Sequence, residues 1–236
     1  MTDLEYLKKY YNGNIEDAIK RLNNNEPVQY IVGNVDFYGN IINVDKRVLI
    51  PRFETEELVD YTKKYINEIF KDKIDVVDLG TGSGCIAITL SKLVDCNMDA
   101  VDISNDALDV AKLNAKNNNV DINFYLGDML NPLNKKYDVI ISNPPYIAYD
   151  EEVMDIVKNN EPNNALYADN DGLKYYEDIL SKARLYLKDK FIIAFEIGYN
   201  QGSRLKDLAN KYFSDSKFIL KQDMQHFDRF VFIIRD

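Results

Sequence analysis

"VVDLGTGSGCIAITL", residues 76–90, is the stretch that decides how this chain folds. An apolar, β-branched run leads without a break into glycines at 80, 82 and 84, and a helical pattern starts at Cys85. Strand, glycine loop and helix in direct succession open a unit of an α/β protein. Glycines at such a bend let the backbone approach a ligand closely, and the helix start offers N–H groups without intrahelical partners to a negative group. Gly80, Thr81, Gly82, Ser83 and Gly84 are therefore candidate binding residues. A glycine loop alone is weak evidence, but two rivals lose ground at once. Cys85 stands where a dinucleotide fingerprint has its third glycine, and no Gly-Lys-Ser/Thr follows for a phosphate loop.

Outward from this stretch the same alternation continues. "IDVVDL" (74–79), "MDAVDI" (98–103), "INFYL" (122–126), "YDVIIS" (137–142) and "FIIAFEI" (191–197) read as strands, as do "KFILKQ" (217–222) and "RFVFIIR" (229–235). Helical spacing of apolar residues falls over 85–94, 105–118, 173–187 and 201–212. Nearly continuous apolar strands separated by amphipathic helices mean a mostly parallel sheet covered on both faces. No helix separates the last two strands, so they form an antiparallel pair at one edge. Upstream, 3–11 and 15–24 predict a pair of short helices, 28–52 alternates around Gly33 and Tyr38-Gly39-Asn40 and predicts a β-hairpin, and 55–70 predicts a helix. The domain division is then a short helical segment at 1–26, a hairpin linker at 27–52 and an α/β domain at 53–236. The N-terminal helices are too short to hold themselves together and are expected to pack on the hairpin.

Composition narrows the class. The 236 residues carry 29 Lys and Arg against 39 Asp and Glu, a net charge of −10, the wrong sign for a general nucleic-acid binder. Cys85 and Cys96 are the only cysteines, which leaves no disulfide framework and no cysteine-based zinc site, so no metal is expected. The N-terminus lacks an apolar signal core, and no run reaches the roughly 18 apolar residues of a membrane span. A cytoplasmic, monomeric protein without membrane contact is the expectation.

Three more features carry chemistry. Asp102 ends the second strand of the α/β domain, where a carboxylate accepts hydrogen bonds from both hydroxyls of a ribose; the bland alternative is a cap for the helix beginning near Ser104. With the glycine loop it points to an adenosine ligand. Asp128 and Met129, in "LGDML" (126–130), could bracket an adenine, although a methionine alone is more often core. "SNPPYI" (142–147) ends a buried strand in two prolines flanked by an amide and a phenol, where a cheap turn is usual. The prolines lock the backbone and leave rigid carbonyl acceptors.

"DLGTGSG", "VDIS", "GDML" and "NPPYI", in this order and spacing, resemble a Rossmann-like class I S-adenosylmethionine methyltransferase that methylates amino groups. With "PVQYIVGNVDFYG" (27–39), "VLIPRFETEELV" (48–59), "EPNNAL" (161–166), "DGL" (171–173) and "FEIGYNQG" (195–202), the chain is similar to the HemK/PrmC family of protein-(glutamine-N5) methyltransferases. The resemblance runs from about residue 27 to the C-terminus. It implies a seven-stranded sheet, S-adenosylmethionine as cofactor, and class 1 peptide chain release factors as partners, methylated on the glutamine of a Gly-Gly-Gln loop. Asn143 and Pro144 would each accept one amide N–H of that glutamine, Pro145 would hold the carbonyl still and Tyr146 would pack on the amide plane. Asn143 also borders the cofactor. Arg52, Glu54 and Thr55 would lie in a loop closing over the cofactor, with Arg52, Glu161 and Glu196 on the substrate side; Glu54 and Thr55 alternatively just start a helix. His226, the one histidine, reads as a turn or surface residue.

The chain departs from the family pattern in three places. Only 26 residues precede Pro27, where the resemblance implies a helical domain of roughly 70, so the recognition segment is expected to be reduced. Asn160 replaces the tyrosine usual before Glu-Pro, and Phe53 stands where proline is usual. Other readings are methylation of an exocyclic amino group of adenine, methylation of a ribosomal-protein glutamine, or a cofactor-binding partner without catalysis. The acidic composition disfavours the first, and an intact Asn-Pro-Pro-Tyr the last.

Overall fold

The computed structural model describes residues 2–236. The N-terminal part comprises α1 (Asp3–Tyr10), α2 (Ile15–Asn23), α3 (Val28–Val32) and a hairpin of β1 (Asn34–Phe37) and β2 (Asn40–Asn43). Then follow α4 (Phe53–Ile69), β3 (Ile74–Leu79), α5 (Cys85–Leu93), β4 (Cys96–Asp102), α6 (Asn105–Asn117), β5 (Asn123–Leu126) and β6 (Tyr137–Ser142). The chain continues through α7 (Asp155–Asn160), a 3-10 turn at Asn163–Ala165, α8 (Lys174–Ala183), β7 (Leu187–Glu196), α9 (Gly202–Tyr212), β8 (Lys217–Gln222) and β9 (Asp228–Arg235).

The seven strands from β3 onward form one sheet in the order β5-β4-β3-β6-β7-β9-β8. Every pairing from β5 to β7 is parallel, and β9 runs antiparallel to both β7 and β8. The antiparallel pair lies at one edge, as the pattern predicts, with the reversed strand on the inside. Alternation along each strand sends successive side chains to opposite faces. Val76, Val139 and Ile192 join α4 and α5 through Leu58, Val59 and Ile86. Val77, Ile140 and Ile193 join α8 and α9 through Tyr176, Ile179 and Leu205.

Three sequence expectations need correction. The hairpin does not fill 27–52: Val28–Val32 is helical, ended by Gly33 in the left-handed conformation (φ 85°), because Val28 and Ile31 bury against Leu7 and Ala18 in a small separate core. The same core takes the N-terminal helices, which therefore pack on α3 and on each other rather than on the hairpin. The helix expected over 173–187 stops at Ala183, since Leu187 already pairs with Tyr137 in the sheet.

Strand order reverses between β3 and β6, and open α/β sheets bind ligands at such a switch point, beyond the C-terminal ends of the strands. The glycine loop, Asp128 and Asn143 follow the C-terminal ends of β3, β5 and β6, and Asp102 is the last residue of β4.

Candidate active site

The glycine loop uses its glycines for two purposes. Gly80 and Gly82 have positive φ (69° and 53°), and a Cβ on either would meet nothing within 4 Å, so both present bare backbone to open space. A Cβ on Gly84 would lie 3.2 Å from that of Ala111 and 3.3 Å from Ile88 Cδ1, so this glycine serves packing of α5 on α6. The N–H groups of Gly80 and Thr81 donate to the Val101 carbonyl, each at 2.9 Å, which ties the loop to the end of β4. Thr81 and Ser83 are buried. The Thr81 hydroxyl donates to Asp78 (2.6 Å), and the Ser83 carbonyl accepts from Asn114 Nδ2 (2.9 Å).

Asp102 is held from both sides. Gly82 N–H donates to Oδ2 at 2.8 Å and Ser104 N–H to Oδ1 at 2.9 Å. Burial raises its pKa, and the backbone donors oppose the shift. It does not cap α6, because the Ser104 hydroxyl accepts the Ala107 N–H there (3.2 Å). The carboxylate is preset at the rim of an open cleft, where its free acceptor sites can meet the hydroxyls of a nucleoside-like ligand. Gly80, Gly82, Asp128, Met129 and Asn143 line the same cleft; Thr81, Ser83 and Gly84 stand behind its wall. Met129 adopts a positive φ of 46°, uncommon for its type, as the chain turns out of β5 into this wall.

The sequence reading passed over Asp78 and Tyr175. Asp78, fully buried beneath the loop, has one oxygen on Thr81 while Oδ1 has no hydrogen-bond partner. Burial pushes its pKa up to about 7, opposed by the Thr81 hydroxyl and the Ala87 backbone N–H, with the Asp102 charge adding. Asp78 does not line the cleft, so it braces the loop from behind through Thr81. Tyr175, from the first turn of α8, faces the cleft; nothing in its local sequence marks it off from the chain's other tyrosines.

A second cavity takes in Arg52, Tyr146 and Glu196. It shares Leu49, Asn143 and Ala165 with the first, so Asn143 stands in the wall where the two meet. Asn143 Nδ2 donates to Thr55 Oγ1 (3.2 Å), and that hydroxyl donates to Glu196 Oε2 (2.7 Å). Pro145 faces the first cavity and Tyr146 the second, whereas Pro144 is buried behind both. The Tyr146 phenol is raised above its usual pKa, first by burial and then by the Glu196 charge. Its carbonyl accepts from Gln201 Nε2 (3.0 Å).

Arg52 and Glu161 are joined to each other. Arg52 donates at 2.6 Å to the buried Glu161 carboxylate, whose other oxygen accepts the Ile50 N–H at 3.1 Å. Glu161 thus pins the segment before α4 to the turn after α7, and only Arg52 of the pair reaches the second cavity. α4 begins at Phe53 without a side-chain cap, so the Thr55 hydroxyl is not spent on the helix start. His226 is exposed in the turn between β8 and β9.

The sheet order, glycine loop and strand-end carboxylate together define a class I methyltransferase. Residues 53–163 match the family model of the methyltransferase small domain. A methyltransferase from Pyrococcus furiosus has the same fold, with a TM-score of 0.61 at 14% identity over 93% of this chain and 98% of the other. A T. thermophilus 16S rRNA methyltransferase in complex with AdoMet and guanosine superposes at a TM-score of 0.61 and 13% identity, covering 86% of this chain and 50% of the other. The release factor glutamine methyltransferase of Streptococcus pneumoniae is 43% identical over 222 residues, 93% of this chain and 78% of the relative. The chain belongs to the release factor glutamine methyltransferase family.

Proposed function

We propose that this chain transfers a methyl group from S-adenosylmethionine to the side-chain amide nitrogen of the glutamine in the Gly-Gly-Gln loop of class 1 release factors, acting in the cytoplasm as a monomer. The observation that carries the proposal is the meeting of two cavities at one asparagine. Methyl transfer is an in-line displacement: the acceptor nitrogen must reach the methyl carbon from the side opposite the sulfonium sulfur, so the two sites must open onto each other.

The first cavity fits S-adenosylmethionine by the chemistry of its lining: the Asp102 carboxylate accepts from the ribose hydroxyls, and Asp128 and Met129 flank the base. When bound, S-adenosylmethionine supplies a methyl group on a sulfonium leaving group. The related T. thermophilus enzyme holds AdoMet on the same fold. A glutamine amide in the second cavity has two N–H donors and a nitrogen lone pair delocalised into its carbonyl. Asn143 Oδ1 accepts one N–H, and the Pro144 carbonyl, which no described hydrogen bond uses, accepts the other once the substrate loop reaches past the buried proline that lines neither cavity. This fixes the NH₂ plane and turns its electron density toward the methyl carbon; the new nitrogen–carbon bond replaces the methyl–sulfur bond, and the surplus proton on nitrogen passes to solvent. The prolines keep the acceptors from reorganising, and Tyr146 packs beside the amide.

Among the described residues no helix is long and apolar enough to cross a membrane. The net charge of −10 favours a protein acceptor over nucleic acid. Incubation with labelled S-adenosylmethionine and, separately, a release factor, a ribosomal protein and nucleic acid, followed by mass-spectrometric mapping, tests the proposal. Label on the Gly-Gly-Gln glutamine is the expected result. Label on an adenine amino group or a ribosomal-protein glutamine instead would replace the substrate named here.

A further inference from the structure

Asn143 can work as an acceptor only if its carboxamide is turned the right way. Reversed, it would set its own NH₂ against the NH₂ of the substrate. The oxygen and nitrogen ends have nearly the same shape, so packing alone cannot choose between them; hydrogen bonding has to.

The choice is made behind Asn143. Thr55 and Glu196 are 3% and 1% exposed, so water does not compete freely for either. A carboxylate can only accept, so the Thr55 hydroxyl must spend its single proton on Glu196 (2.7 Å). The hydroxyl is then left with lone pairs alone to offer Asn143, which must present Nδ2–H (3.2 Å) and turn Oδ1 away. The Glu196 main chain is itself fixed, since its carbonyl accepts from the Tyr176 hydroxyl (2.7 Å) and it pairs with Phe230 across the sheet.

We propose that Thr55 and Glu196 are positioning residues that set the Asn143 carboxamide with its oxygen toward the acceptor cavity. The inference rests on the amide-methylation reading above for its consequence, but not for its geometry. Direction of donation matters throughout: Glu196 as carboxylate forces the Thr55 proton one way. As carboxylic acid it can itself donate to Thr55, which releases the Thr55 proton toward Asn143 and favours the reversed amide.

The surroundings of Glu196 place that change within reach. Burial raises its pKa to about 7, with Glu54 adding, while the Thr55 hydroxyl, Arg229 on β9 and Arg52 pull it down. Tyr146, Tyr176 on α8 and Cys85 on α5 also feel its charge. All three have raised pKa values and stay neutral as Glu196 titrates. Deprotonation is the productive direction, so kcat should fall with one-proton dependence as pH drops through about 7.

Two measurements test this, one free of substrate. First, Thr55→Val keeps the shape and removes the hydroxyl. It should lower kcat on a release factor by about 10-fold or more, the scale of a misplaced reacting group. KM and the affinity for S-adenosylhomocysteine should change by less than about 3-fold. Thr55→Ser should restore most of the rate, and Glu196→Gln should flatten the pH profile. Second, the side-chain amide NMR signals of Asn143 should titrate with the Glu196 midpoint in the wild type and lose that titration in Thr55→Val. Wild-type kcat in Thr55→Val, or an Asn143 titration that survives the substitution, overturns the proposal. A wild-type protein that never methylates a release factor but keeps the Asn143 titration refutes the substrate reading and leaves the positioning intact.

Discussion

Replacing Asp102 should separate ligand binding from folding. Each carboxylate oxygen accepts one backbone N–H, from Gly82 and from Ser104, which leaves acceptor sites unused on a carboxylate that lines the cleft. Hydrogen bonds to a charged acceptor contribute about 1.5–3 kcal/mol each. Two ribose hydroxyls on one group do not add fully, and water partly replaces a missing carboxylate. A net loss of about 2–3 kcal/mol is reasonable, or roughly 30- to 150-fold in Kd. Stability should change far less, because Asp102→Ala loses two backbone contacts but also removes a charge whose burial raises its pKa and which repels Asp78. Asp102→Asn should bind no better than Asp102→Ala. An amide oxygen can take only one of the two N–H groups, and its NH₂ confronts the other. Calorimetric titration with S-adenosylhomocysteine, alongside thermal unfolding, measures both quantities. Unchanged affinity in Asp102→Ala would remove this carboxylate from the site, and a collapse in stability matching the loss of affinity would make it a loop brace only.

Asn143→Ala should leave S-adenosylhomocysteine affinity within a few-fold but lower turnover by about 10²-fold, the cost of removing one preorganised polar group; single-turnover methylation of a release factor measures it. Gly172 has φ 79°, and a Cβ there would fall 2.0 Å from the Tyr146 carbonyl oxygen and 2.5 Å from Gln201 Nε2. Gly172→Ala must therefore displace the Asn-Pro-Pro-Tyr corner, and should lower both melting temperature and kcat, whereas Gly39→Ala, which meets nothing within 4 Å, should cost only its backbone strain of about 1–2 kcal/mol. Asp78 has a folded pKa of about 7 against an ordinary 3.8. A raised carboxyl contributes stability that is present below the unfolded value and lost as pH rises through the folded one. The ligand-free stability of Asp78→Asn relative to wild type should therefore climb between those two values, with a ceiling of about 4 kcal/mol at 1.36 kcal/mol per pH unit. Denaturant melts across that range would show a flat difference if Asp78 titrates normally.

Much of this was legible in the sequence because its signals are local. Strands such as "YDVIIS" carry their burial in composition, and the glycine loop and Asp102 carry their place by standing at strand ends. The short helices α3 and α7 were not legible, for opposite reasons. Val28–Val32 is apolar enough to pass for a strand, and only Gly33 and the partners Leu7 and Ala18 make it helical. Asp155–Asn160 buries no residue, so it has no apolar stripe to read. The link of Thr55 to Glu196 spans 141 positions and that of Arg52 to Glu161 spans 109. No spacing along a chain reveals which distant polar groups will meet. Helix capping explained Thr55 equally well until the fold brought Glu196 beside it.

Two cavities with one asparagine between them also suggest how such an enzyme could be blocked selectively. The first cavity belongs to a fold shared with other methyltransferases, so an inhibitor confined to it would discriminate poorly. A single molecule with a nucleoside in the first cavity and a carboxamide arm reaching past Asn143 into the second would keep the nucleoside's affinity. Its selectivity would come from Arg52, Tyr146 and Glu196. Because the tether makes the second contact intramolecular, even a weak arm would gain from a high local concentration. Leu49 and Ala165 line both cavities with Asn143, so they are the side chains such a tether would run beside.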